Sequence, residues 1–200
     1  MSLKIINLST KQKCYHKSIG VKKIECENYS FELRHGINFM VGDIGWLCSF
    51  VLSMSNNSKI QVDSIYLNES KIELNKVRKI SYYVNYNEFK CFHKKIKLKR
   101  WLKNETKIIK AFELTERLLE KNFYQLEHWS YLCSCAIGIM NNKKILCFPL
   151  IPEKEVRIQS YRFKLLSKYA LLNDLYVIIP INHINEYTKE TIDYMHTIVK

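Results

Sequence analysis

Glycine and proline are scarce, five and three in 200 residues, and no stretch approaches the roughly 20 apolar residues needed to cross a bilayer. The longest apolar runs, Trp46–Met54 and Leu132–Met140, are short and contain polar groups, so no membrane-spanning helix is expected. Met1–Thr10 lacks the basic, apolar and small-residue order of a secretory signal, and the expectation is a cytosolic chain. No pair of cysteines has the C-x-x-C spacing of zinc or thioredoxin motifs. The seven cysteines are an odd number at irregular spacings, which fits reduced core residues; Cys133-Ser134-Cys135 alone is weak evidence for metal. Acidic residues are also in deficit, 19 against 32 Lys and Arg.

What is present is a hydrophobic content of 47%, with thirteen Tyr and nine Phe. That supplies the core of one ordinary domain and argues against disorder. A formal charge of +13 suits an anionic partner, whether nucleic acid, a cytoplasmic lipid surface or a nucleotide, because charge speaks to association and not to fold. The basic residues concentrate in Lys90–Lys110, where nine Lys and Arg stand against Glu105 within the segment and Glu88 just before it.

The first half reads as short strands: Leu3–Leu8, Lys23–Cys26, Tyr29–Leu33, Ile37–Val41, Lys59–Val62, Ser64–Leu67 and Lys79–Val84. Gly42 and Gly45 lie between the apolar strand Ile37–Val41 and the helix-like run Trp46–Met54, giving the order strand, glycine loop, helix. From Trp101 the spacing turns helical through Ile108, Ile109, Phe112, Leu114, Leu118 and Leu119, and a second helix is expected over Leu126–Met140. Lys144–Phe148 has the look of a buried strand, Val156–Leu172 of an amphipathic helix and Leu175–Ile181 of a further strand. Strand, helix and strand in that order predict a parallel α/β core.

A strand running into a glycine-rich loop and then a helix is the setting in which backbone N–H groups cradle phosphate. The loop Gly42-Asp43-Ile44-Gly45-Trp46-Leu47-Cys48-Ser49 meets G-x-x-x-x-G-K-[ST] only at Gly42 and Ser49. Its surroundings carry more. Phe31–Gly42 resembles the approach to the Walker A loop of ATP-binding-cassette (ABC) ATPases. Lys79–Asn85 resembles that family's Q-loop strand, with Asn85 in place of the glutamine. Leu126–Met140 followed by Asn141–Phe148 resembles the signature helix and the Walker B strand, and Ile178–Ile184 resembles the switch strand with His183 as its histidine.

The resemblance spans nearly the whole chain. It implies a single α/β domain over residues 1–200 with a P-loop NTPase-like core, an antiparallel β subdomain, a mainly parallel sheet flanked by helices, and a helical subdomain near residues 86–140. It also implies altered chemistry. Cys48 stands where the family has the Walker A lysine, and Leu47 where it has a glycine; Pro149 and Leu150 stand where it has aspartate for Mg²⁺ and glutamate for water. Losing one partner of a buried charge pair costs roughly 2–5 kcal/mol, about 30- to several-thousand-fold in affinity. Ser49 remains as a candidate Mg²⁺ ligand or an ordinary helix-start residue. His183 stands as the switch histidine or as a strand-end backbone cap, and Tyr15 is a loose match to the adenine-stacking aromatic. The vestigial nucleotide-binding set is thus Tyr15, Gly42, Gly45, Ser49, Asn85 and His183, with no metal or cofactor expected beyond weak ATP and Mg²⁺. The signature loop falls near Leu126-Glu127-His128-Trp129, and Glu153 and Glu155 read as a solvated loop.

By resemblance the chain is a non-hydrolysing transporter subunit, peripheral at the inner face of the cell membrane. It would pair with itself or with an active cassette subunit, beside a membrane-spanning partner and an anionic lipid surface, with peptide export or immunity as candidate settings. Two other readings stay open: a nucleic-acid-binding protein in which Phe89, Phe92, His93 and Trp101 stack on bases among the lysines, and a transporter subunit with residual ATP binding.

Overall fold

A computed structural model describes residues 2–16, 20–53, 60–84, 96–103, 105–183 and 198–199, with the backbone alone at 15, 16, 20, 198 and 199. The chain opens with a hairpin of β1 (Ser2–His16) and β2 (Gly20–Arg34), then β3 (Gly36–Val41) and α1 (Gly42–Ser53). Short elements follow: β4 (Ile60–Gln61), β5 (Ser64–Leu67), β6 (Ser70–Lys71), α2 (Leu74–Lys79) and β7 (Ser81–Tyr83). Next come α3 (Leu98–Leu102), α4 (Thr106–Ala111), α5 (Glu116–Leu119), two 3₁₀ turns at Phe123–Gln125 and Glu127–Trp129, and α6 (Ser130–Met140). The last part holds β8 (Ile145–Cys147), α7 (Glu153–Leu172), β9 (Tyr176–Ile181) and β10 (Ile198–Val199).

The strands form two sheets. One is antiparallel in the order β2-β1-β5-β6, with β4 also on β1; the other runs β10-β3-β9-β8-β7, and its described pairs are all parallel. This is the α/β architecture expected, an antiparallel subdomain beside a parallel sheet flanked by helices. Alternation along the central strands decides which core each residue enters, since side chains point to opposite faces with period two. Phe39, Leu146, Val177 and Ile179 join the core beneath α6 and α7, whereas Met40, Cys147, Tyr176 and Ile178 join the one shared with α1 and the hairpin. Asn38 is a buried polar residue inside β3. Its amide donates to the carbonyls of Arg34, Gly36 and Val177 while its oxygen accepts from the Arg34 N–H, so the polar side chain ties the β2–β3 corner to the parallel sheet.

Four local expectations are corrected. Residues 42–49 are not a loop, because α1 begins at Gly42 directly after β3. The strand expected from Lys79 is shorter, since Leu74–Lys79 forms α2 and the strand starts at Ser81. The helical spacing after Trp101 is split into α3, α4 and α5, with Lys103 and Glu113 in left-handed backbone conformations (φ 47° and 52°) that end one helix before the next begins. The helix expected from Leu126 starts at Ser130 and is preceded by a 3₁₀ turn.

Candidate functional site

Ligands of open parallel sheets bind beyond the carboxyl ends of the strands. At that end Val41 is in register with Ile181, Cys147 with Ile178, and Ile151 bridges Ile181. This brings together three stretches far apart in sequence: the start of α1, residues 148–153 after β8, and Asn182-His183 after β9.

The turn from β3 into α1 is made by Gly42 at φ +77°, a conformation open to glycine at little cost. Three residues on, α1 passes so close to β3 that a Cβ on Gly45 would lie 2.6 Å from both the Cβ and the carbonyl oxygen of Met40. Both glycines therefore have a structural reason for their places, Gly42 its backbone conformation and Gly45 the close approach of Met40. The first turn of α1 also carries Asp43, whose carboxylate pairs with Lys22 of β2 at 2.5 Å. A carboxylate at that position meets the positive end of the helix dipole.

Further along α1, Trp46, Leu47 and Cys48 are all buried in the core shared with the hairpin. Burial pushes the Cys48 thiol well above its ordinary value, and the neighbouring Cys26 and Cys147 add to the effect. Ser49 is buried too, and its hydroxyl donates to the carbonyl of Phe148 at 2.5 Å. After β8, Leu150 is buried in the core that contains α1, and Pro149 is buried beside it. His183 is different: its imidazole is 63% exposed, and its Nε2 lies 2.8 Å from Glu153 Oε2.

Glu153 and Glu155 thus belong to the first turn of α7 and not to a solvated loop, and each is engaged, Glu153 by His183 and Glu155 by the Tyr131 hydroxyl at 3.3 Å. The 3₁₀ turn at Glu127–Trp129 packs against α7, with the Arg162 guanidinium 4.8 Å over the Trp129 ring. The structure therefore gathers Gly42, Gly45, Ser49, Pro149, Leu150 and His183 at one end of the sheet. Asn85 and the side chain of Tyr15 lie outside the described residues. Among the described residues no three of His, Cys, Asp and Glu are placed to hold a metal.

Within the basic segment, Lys97 and Lys99 both pair with Glu120 and Trp101 packs against the core. Residues 85–95, with Phe89, Phe92 and His93, lie outside the described part.

No protein-family model matches the sequence, and no curated protein matches it. Solved structures do match in shape. A protein from Pyrococcus furiosus described as an ABC transporter ATP-binding protein is 18% identical, with 94% of each chain covered and a TM-score of 0.61. A nucleotide-free ATP-binding cassette from an ABC transporter is 11% identical, with 96% of this chain and 86% of the other covered, again at 0.61.

The chain has the fold of an ABC ATP-binding cassette.

A bacterial ABC transporter cassette solved as a dimer agrees, at 15% identity, 94% and 90% coverage and a TM-score of 0.57. On this cassette fold the β3–α1 junction, the end of β8 and the end of β9 are the places that the sequence resemblance assigned to Walker A, Walker B and the switch. Sequence reading missed two participants, Lys22 and the pairing of Glu153 with His183. Lys22 carried no signal, because its hairpin partner strand reads as polar. Glu153 follows Pro152, and proline just before a first-turn acid is a helix-start signal that should have placed it on α7.

Proposed function

We propose that the chain is a cassette-type subunit of a membrane transporter that has lost ATP hydrolysis. The observation that carries this is the packing of residues 42–49, which fill as a helix the space where a phosphate-binding loop would have to stand open. Phosphate needs exposed N–H groups and a cation. Here the helix start carries the Asp43 carboxylate, which opposes an anion and ties up the nearby cation, Lys22, in an ion pair, and the residue in the lysine position is a buried neutral thiol. The Ser49 hydroxyl is committed to a backbone carbonyl, and Pro149 and Leu150 offer no oxygen ligand to Mg²⁺. The residues present do not fit a nucleotide triphosphate with its metal, so no hydrolytic step is routed through them.

The transporter role is supported by the solved structures of like fold, which are ATP-binding proteins and cassettes of ABC transporters. The natural partners are a second cassette, of this chain or an active one, and a membrane-spanning subunit, which would hold the chain at the inner face of the membrane. Among the described residues no helix is long and apolar enough to cross by itself.

The test has two arms. The purified chain should release no phosphate from MgATP above a no-protein control, and Cys48→Lys should not restore release, because the end of β8 still lacks carboxylates. Tagged chain extracted from its own membranes with detergent should bring down a multi-span membrane protein. Phosphate release by the wild type that is abolished by Ser49→Ala would overturn the loss of hydrolysis, and recovery of the chain without any membrane partner would overturn the transporter role.

A further inference from the structure

Of the seven large apolar side chains left exposed among the described residues, four lie on α7: Ile158, Tyr161, Leu171 and Leu172, the last 76% exposed. At 3.6 residues per turn they fall on the same side of the helix as Lys154, Arg157, Lys164 and Lys168, which are exposed as well. The opposite side, with Val156, Phe163, Leu166 and Ala170, is buried in the core. The two acids of α7 do not dilute the outer face. Both sit in the first turn, Glu153 engaged by His183 and Glu155 by Tyr131; two further acids border the face, Glu113 by accepting from the Tyr161 hydroxyl and Glu127 by lining a cavity with Lys154 and Ile158, against four cations on the face itself. The result is an outward stripe, 20 residues long, in which cations and aliphatic side chains are mixed.

We infer that this stripe rests on an anionic lipid bilayer. A bilayer surface rewards both components at once: acidic headgroups attract lysine and arginine, and the acyl boundary takes up leucine and isoleucine. Nucleic acid rewards the cations and ring stacking, but three of the four apolar residues here have no ring. A second copy of the chain is disfavoured at this face, since the cations of two such stripes would meet like against like. The inference concerns residues outside both the strand-end site and the Lys90–Lys110 segment, and it stands whether or not the cassette subunit reading holds.

Flotation of the whole chain with vesicles provides the test, using phosphatidylcholine alone and phosphatidylcholine mixed with phosphatidylglycerol. The wild type should float with the mixed vesicles and not with the zwitterionic ones, and added salt should release it. Lys154→Gln/Lys168→Gln should bind the mixed vesicles about 30-fold more weakly, at roughly fivefold for each lysine near an anionic surface. Leu171→Ser/Leu172→Ser should also lose binding, by about tenfold or more. All four positions are exposed, so thermal melts of both variants should match the wild type. Equal flotation with both vesicle types, no flotation, or variants that float like the wild type would overturn the inference. Retention of an oligonucleotide that depends on the lysines and ignores the leucines, without flotation, would assign the stripe to nucleic acid instead.

Discussion

Gly45 shows how one residue type can serve two accounts of a site. In a phosphate loop its value is backbone access to an anion; here the structural reason is contact, since any Cβ would strike Met40. Gly45→Ala should therefore destabilise the fold by about 1–3 kcal/mol, the usual cost of overpacking, seen as a lower Tm of roughly 2–4 °C per kcal/mol; an unchanged Tm would mean that the helix start can move away from β3. The thiols make a second prediction. All six described cysteines are free and buried, and burial holds Cys147 up at about 12 against an ordinary 9.0. A raised thiol value means that the folded state favours the neutral form, so the linked stability is fully present below pH 9, and it is lost as pH rises from there through about 12. Denaturant midpoints should accordingly fall across that alkaline window, and the described cysteines should stay inert to a thiol reagent at neutral pH until the chain is unfolded. Rapid labelling of Cys48 in the native protein would contradict the packing of α1.

At the scale of elements, the sequence was most legible where apolar runs are buried on both faces. Ile37–Val41, Lys144–Phe148 and Leu175–Ile181 became β3, β8 and β9 within a residue or two, because central parallel strands read as unbroken hydrophobic stretches. The hairpin was less legible. The inward positions of β1 beyond Leu8 are Thr10, Gln12 and Cys14, and Gln12 donates to Thr10 at 2.8 Å, so a buried face made partly of polar residues hid a 15-residue strand as a short one. The breaks among α3, α4 and α5 were invisible for another reason, since Lys103 and Glu113 adopt left-handed backbone conformations that glycine or asparagine would have advertised. At the site itself the order of strand, glycines, helix and two later parallel strands was readable, but glycine was taken as a sign of a loop where the chain makes a sharp entry into a helix. Amide hydrogen exchange distinguishes the two states of that element. Backbone amides of residues 46–52 should be protected as strongly as those of β3, whereas an open loop would exchange them rapidly.

For the whole molecule, the two cores meet across one parallel sheet, and the strand ends that gather Gly42, Ser49, Leu150 and His183 are held from both sides. The outer surfaces, including the mixed face of α7, are left to make contact with partners. The basic charge acts at this scale too, drawing the chain toward anionic surfaces whatever its site does. The central claim is that the end of β3 leads into a closed, packed helix and not into a phosphate cradle. Isothermal titration of the purified chain with ATP in excess Mg²⁺ tests it most directly. The account predicts no saturable heat in the micromolar range, and binding with a Kd below about 10 μM would contradict it.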